Sequence, residues 1–198
     1  MIKLGIFILP NYSIKRKILN KKKDIRKLFG KQKYLSHIPH CTVCVIYISE
    51  NSINKIKKEM ILKFKEKKYL KIEKFDIFFN DPITKGNTLI FKIKKNNFLN
   101  ILQLEILKKL KKYRIKIKKR FNNRQMRDNF KKYGYPFVKR NWNPHFTVAS
   151  ISKFSSDKNY FEKFKLEKFS PLLQNINRLY FFQIKKNKHK FICTKKIF

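Results

Sequence analysis

Apolar residues recur along the chain with two different periods. Residues 2–9 are almost continuously apolar and β-branched until Pro10 and Asn11 interrupt them, which predicts a first strand. Ile14, Ile18, Ile25 and Leu28 are helix-spaced, so a helix is predicted over 13–28, with Ser13 as its cap and Gly30 as its stop. Residues 37–48 form the most strand-like stretch, and 51–67 returns to helical spacing through Ile53, Ile56, Met60 and Phe64. Two strands, 70–79 and 88–93, are predicted around a turn at Asn80, Asp81, Pro82 and Gly86. The clearest amphipathic helix spans 97–113, through Phe98, Ile101, Leu102, Leu104, Leu107 and Leu110.

The second half repeats this grammar. A basic stretch at 115–120 leads through a polar segment to Phe130 and an aromatic loop, then to a strand at 144–150. A short helix follows around 157–164, and strands 176–184 and 190–197 close the chain as a hairpin turned around 186–188. The chain has only 4 Gly and no glycine-rich turn of the kind that opens a nucleotide-binding parallel sheet. The expectation is an α+β fold with antiparallel pairing.

At 198 residues the chain fits one domain, 1–198, or two small lobes sharing a core. Its 42% hydrophobic residues, 20 Phe among them, suffice for a sizeable core and exclude general disorder. No apolar run approaches a membrane span, and residues 1–9 read as a strand rather than a signal peptide. Three cysteines make no disulfide framework, so a reducing, cytoplasmic setting is expected. The formal charge of +39 is far beyond what a small domain needs for solubility and attracts polyanions. Only eight of the 51 cations are Arg, however. Lys accompanied by abundant Ile, Asn and Phe is what an AT-rich genome encodes, so charge alone argues little for dedicated nucleic-acid recognition, which favours Arg forks.

The informative signal is a repeated pentapeptide: Pro39-His40-Cys41-Thr42-Val43 and Pro144-His145-Phe146-Thr147-Val148. Two of only 4 histidines share this setting, 105 residues apart. Each copy opens a β-branched strand, so its His and Thr project from one face, about 6–7 Å apart. An imidazole exchanges protons near neutral pH, and a Thr hydroxyl can hydrogen-bond a non-bridging phosphate oxygen. If the strands face each other, two histidines flank one phosphorus, one activating the attacking oxygen and the other protonating the leaving oxygen. Two similar core histidines are the plainer alternative, and the pairing argues against it.

At these residues the chain resembles the 2H phosphoesterase superfamily, named for its two His-x-Thr/Ser motifs, and within it the 2′-5′ RNA ligase or RNA cyclic phosphodiesterase-like branch. The resemblance implies two pseudo-symmetric lobes, each an antiparallel sheet flanked by helices, with the active-site cleft between them. It implies His40 and His145 as the acid/base pair and Thr42 and Thr147 as phosphate-binding residues. The implied activity is metal-independent, cofactor-free hydrolysis of a 2′,3′-cyclic phosphate on RNA or a nucleotide. The alternatives are a 2′-5′ linkage, ligated or cleaved, another small phosphodiester, or a non-catalytic basic RNA-binding module. The loop Tyr133 to Val138 with Lys139, Arg140 and Trp142 also looks like one found in bacterial relatives. Tyr135, Phe137, Trp142, Arg124, Arg127 and Arg140 are accordingly candidate substrate contacts, with ordinary loop packing the alternative for each aromatic.

Cys41-Thr42-Val43-Cys44 matches a C-x-x-C pattern, but residues three apart in a strand point to opposite faces and no second cluster exists to complete a zinc site. Neither metal nor redox chemistry is expected there. His37 is expected in the loop before the strand and His189 at a hairpin tip. The expected partner is RNA or a nucleotide phosphodiester, with no membrane and a monomeric chain.

Overall fold

The computed structural model describes residues 1–198 except 65–67, 82, 153–157, 168–169, 186–187 and 198. Among the described residues, eight strands form two four-stranded sheets: sheet A in the order β2-β1-β7-β8 and sheet B in the order β5-β4-β3-β6. Sheet A comprises β1 (Ile2–Ile8), β2 (Cys41–Ile48), β7 (Arg178–Lys185) and β8 (Lys188–Lys196). Sheet B comprises β3 (Lys68–Phe78), β4 (Asn87–Ile93), β5 (His145–Ile151) and β6 (Leu172–Ile176). Every strand pairing is antiparallel. The expected α+β, two-lobed architecture is therefore present. The lobes are not halves of the sequence, because the two ends of the chain build sheet A together and the middle builds sheet B.

The helix α1 (Tyr12–Phe29) buries Ile14, Ile18 and Ile25 and is capped by Asn11, whose Oδ1 accepts from the Ile14 amide at 3.0 Å. Ser13, the expected cap, instead lies in its first turn. Gly30 ends α1 at φ 66°, a left-handed position that favours glycine. The helix α2 (Ser52–Glu59) is half the length its spacing suggested. Met60 and Leu62 are both buried, and that two-residue period belongs to extended chain, so packing overrides helical propensity there. α3 (Asn97–Leu110) is capped by Asn96 and buries Leu99, Leu102, Ile106, Leu107 and Leu110, while Ile101 stays exposed; a single 3₁₀ turn carries it on to Tyr113.

The polar segment before Phe130 is in fact a helix, α4 (Arg124–Tyr133). Asn123 caps it by accepting from the Met126 amide, and Gly134 closes it at φ 73°. Those caps were visible in sequence, but α4 buries no residue, so apolar spacing missed it. α5 (Lys158–Leu166) packs on β3. Its expected start at Asp157, the expected turn residue Pro82 and most of the expected hairpin turn lie outside the described residues. Ile176 ends β6 in sheet B rather than beginning the hairpin strand. Buried residues of both sheets form one continuous core cluster. Among the described residues no helix is long and apolar enough to cross a membrane.

Candidate active site

Each motif opens an edge strand, β2 of sheet A and β5 of sheet B, and these two edges meet. A strand edge carries unpaired backbone groups that need partners when buried. Gln103 of α3, fully buried, donates from Nε2 to the Val43 carbonyl at 2.8 Å and to the Phe137 carbonyl at 3.0 Å. The indole of Trp142, just ahead of the second motif, donates to the Thr42 carbonyl at 3.0 Å. Two side chains thus fasten the first motif to the elements that carry the second.

The repeat extends to the backbone. In β2 the register with β1 slips at Val43, and in β5 the register with β4 slips at Val148. Both are β-bulges directly after the motif threonine, and a bulge re-aims the side chains around it. Cys41 and Cys44, expected on opposite faces, consequently share the core face, opposite Ile8 and Ile6. Both are fully buried free thiols, and burial pushes Cys41 up to about 12 and Cys44 higher still, so neither is a nucleophile near neutral pH. Thr42, Val45 and Tyr47 keep the opposite, half-buried face.

The two imidazoles are held identically. His40 Nδ1 donates to the Ile38 carbonyl at 2.8 Å, and His145 Nδ1 donates to the Asn143 carbonyl at 2.7 Å. A carbonyl can only accept, so Nδ1 carries the proton in both neutral rings. Each Nε2 is left to take or give one. His40 stacks on Phe7, ring centroids 4.1 Å apart, while the edge of Phe78 meets His145 at 5.0 Å.

Their electrostatic settings differ. Burial, together with the neighbouring His189, His37 and His145, drives His40 down to about 4 against the weaker upward pull of its Ile38 hydrogen bond. Burial also lowers His145, but the Asn143 carbonyl and the Asp81 carboxylate pull it back up. Asp81 is held by the Thr88 hydroxyl at 2.7 Å and the Ile83 amide at 2.9 Å.

Sequence reasoning missed three contributors here. His189 lies beside the β7–β8 turn, as expected, and its ring comes to 5.0 Å from His40 and 5.4 Å from Phe7. Three flat interstrand steps of about 4.8 Å would hold β8 roughly 14 Å from β2. Sheet A must therefore curl to bring these rings together. The buried amine of Lys22 donates to the Tyr34 and His37 carbonyls, each at 2.6 Å, and holds the loop leading into His40. Burial lowers this amine to about 8. Gly5 is the third: a Cβ there would lie 2.5 Å from Phe7 Cζ, so only glycine lets that ring lie beneath His40. The signal for Gly5 was its position among β-branched residues, where glycine marks a close approach.

The candidate substrate contacts fare unequally. Tyr135 and Trp142 are 8% and 2% exposed and pack in the core, and Trp142 serves through its bond to Thr42. Phe137 is half-buried against Tyr135. Arg124, Arg127 and Arg140 are exposed, and Arg127 donates to the Phe121 and Asn122 carbonyls. Among the described residues no three His, Cys, Asp or Glu side chains converge as metal ligands. A groove of about 670 Å³ at the end of α3, lined by Glu59, Glu105 and several lysines, contains none of the histidines.

This bilobal arrangement is a fold shared with several solved structures. The likeness to TT0787 of Thermus thermophilus covers 98% of this chain and 97% of that one, with TM-score 0.62 at 10% identity. The likeness to E. coli LigT solved with NADP+ covers 98% of this chain and 96% of that one, with TM-score 0.51 at 10% identity. A protein described as a phosphoesterase aligns over 98% of this chain and 96% of its own, with TM-score 0.52 at 11% identity. At such identities the likeness is one of fold. No family model matches the chain, and no curated protein sequence matches it.

Proposed function

We propose that the protein is a metal-independent phosphoesterase that opens a 2′,3′-cyclic phosphate at the end of RNA or on a nucleotide. One observation carries this reading: two histidines at the starts of two edge strands that meet, each tethered through Nδ1 to the carbonyl two residues back and each with a threonine two residues on. Its likeness in fold to a phosphoesterase and to a LigT solved with a nucleotide agrees with it.

His40, held neutral by its surroundings, suits the general base, and His145, with Asp81 favouring its charged form, suits the general acid. His40 Nε2 takes a proton from water as the water oxygen bonds to phosphorus. The bond from phosphorus to the ribose 3′ oxygen breaks, and His145 gives that oxygen its Nε2 proton. One 2′-phosphate and one 3′ hydroxyl result. Thr42 and Thr147 donate their hydroxyl hydrogens to the non-bridging oxygens, where charge grows in the transition state. With a 5′ hydroxyl in place of water, the same step bonds that oxygen to phosphorus and frees the 3′ hydroxyl, giving a 2′-5′ linkage; run backwards with exchanged roles it cleaves one, so a 2′-5′ linkage is the natural second substrate.

The test is turnover of a 2′,3′-cyclic nucleotide and a cyclic-phosphate-ended RNA in EDTA, by wild type, His40→Ala and His145→Ala. Each substitution should lower kcat by about 10²–10⁴ in a folded protein. The charge of +39 favours one rival, RNA binding without turnover. That rival calls for binding that weakens steeply with salt and survives both substitutions, with no product formed.

A further inference from the structure

The inner face of sheet A continues past His40. Register puts Lys3, Gly5 and Phe7 of β1 on this face, flanked by Thr42, Val45 and Tyr47 of β2 on one side and by Tyr180, Phe182 and Ile184 of β7 on the other, with His189 and Phe191 of β8 beyond. Three features separate it from an ordinary solvated sheet face. It is aromatic and open at its rim: Phe191 is 55% exposed and its ring meets Phe182 at 5.6 Å, which in turn meets Phe7 at 5.5 Å under His40. It is cationic without compensation: the four strands of sheet A contain no Asp or Glu, and none of the described ion pairs involves Lys3 or Lys119. Finally, its cations crowd one another. Burial lowers Lys3, and Lys119 from the basic stretch after α3 lowers it further; burial likewise lowers His189, with His37 and then Lys3 adding to it.

We infer that this face binds single-stranded RNA leading away from the reacting phosphate, with an unpaired base on Phe191 and a backbone phosphate at Lys3. The inference rests on the phosphoesterase reading for the seat of the reacting end. Exposed aromatic rings beside uncompensated cations are what unpaired, charged nucleotides need, because every base has a face to stack and every linkage a charge to neutralise. Lys3 lies four residues, about 13 Å, along β1 from Phe7, so a ligand reaching it must extend past the reacting group. A polymer end is thereby favoured over a free cyclic nucleotide.

The experiment compares wild type with Lys3→Ala/Phe191→Ala. One arm measures fluorescence anisotropy of a labelled single-stranded RNA octamer across a salt series. The other measures kcat/KM for a cyclic-phosphate-ended RNA octamer and for a 2′,3′-cyclic mononucleotide. The double variant should bind the octamer about tenfold more weakly and lower the octamer-to-mononucleotide ratio of kcat/KM about tenfold. Loss of one phosphate contact should reduce the salt slope by about 0.7. Unchanged octamer affinity and an unchanged ratio, with circular dichroism showing a folded variant, would overturn the inference. If wild type turns over neither substrate, the phosphoesterase reading fails, and anisotropy alone still decides the surface. The single variants Lys3→Gln and Phe191→Leu repeat the comparison if the double variant does not fold.

Discussion

Gly5→Ala tests whether the platform beneath His40 governs catalysis. The added Cβ would stand 2.5 Å from Phe7 Cζ and 2.8 Å from Ile184 Cδ1. Ordinary carbon contacts are about 3.5–4.0 Å, so the Phe7 ring must retreat by roughly 1 Å. It has little room, being 1% exposed and bounded by His40, Phe182 and His189. Overpacking of this kind costs about 1–3 kcal/mol, against about 0.4–1 kcal/mol regained because alanine has fewer unfolded conformations than glycine. The net loss of about 1–2 kcal/mol leaves a domain of ordinary stability folded, with Tm lowered by roughly 2–8 °C. Catalysis should suffer more, since a displacement of about 1 Å in a reacting group can lower a rate about 10²-fold. The assay pairs thermal unfolding with kcat on a cyclic-phosphate substrate, and follows the His40 ring by its NMR signals. Undisturbed His40 signals with kcat within twofold of wild type would refute the argument that Gly5 exists to seat Phe7.

Three further outcomes are expected. The kcat/KM profile should be bell-shaped with its optimum on the acid side of neutrality, because burial lowers both histidines; Asp81→Asn, by removing a charge that raises His145, should move the alkaline limb to lower pH, and an unmoved limb would count against His145 as the acid. Because the folded pKa of His40, about 4, lies below its unfolded value near 6.5, the unfolded chain binds the extra proton between them. Its contribution to stability is thus complete above pH 6.5 and lost as pH falls toward 4, with a slope of up to about 1.4 kcal/mol per pH unit, and urea titrations of His40→Gln should show a flatter dependence. Gln103→Leu strips the side-chain donor from the buried Val43 and Phe137 carbonyls, and should lower stability by about 1–3 kcal/mol; a loss under about 0.5 kcal/mol in urea unfolding would mean those carbonyls find other partners.

Strands and long helices were legible because each depends on a local period. β1 reads as an unbroken apolar run and α3 as an apolar stripe, whatever else the chain does. The motif histidines were legible for another reason: scarcity made their repeated setting visible, and the two-residue period put each His and Thr on one face. α4 escaped because it buries no residue and so leaves no stripe, and α2 was overextended because Met60 and Leu62 obey the packing of extended chain. The two cysteines were assigned opposite faces because a bulge, which shifts the period by one residue, has no signature in the run Cys41 to Cys44.

What sequence alone determined, then, is the chemistry available and the strands that carry it. Tertiary structure decided which residues surround that chemistry. His189 stands beside His40 only because sheet A takes β7 and β8 from the far end of the chain and curls. Asp81 biases His145 only because the turn between β3 and β4 folds back toward β5. Local periods report which face of an element is buried, whereas these neighbours depend on strand order and sheet curvature, which arise from pairings between residues as distant as Phe7 and Tyr180.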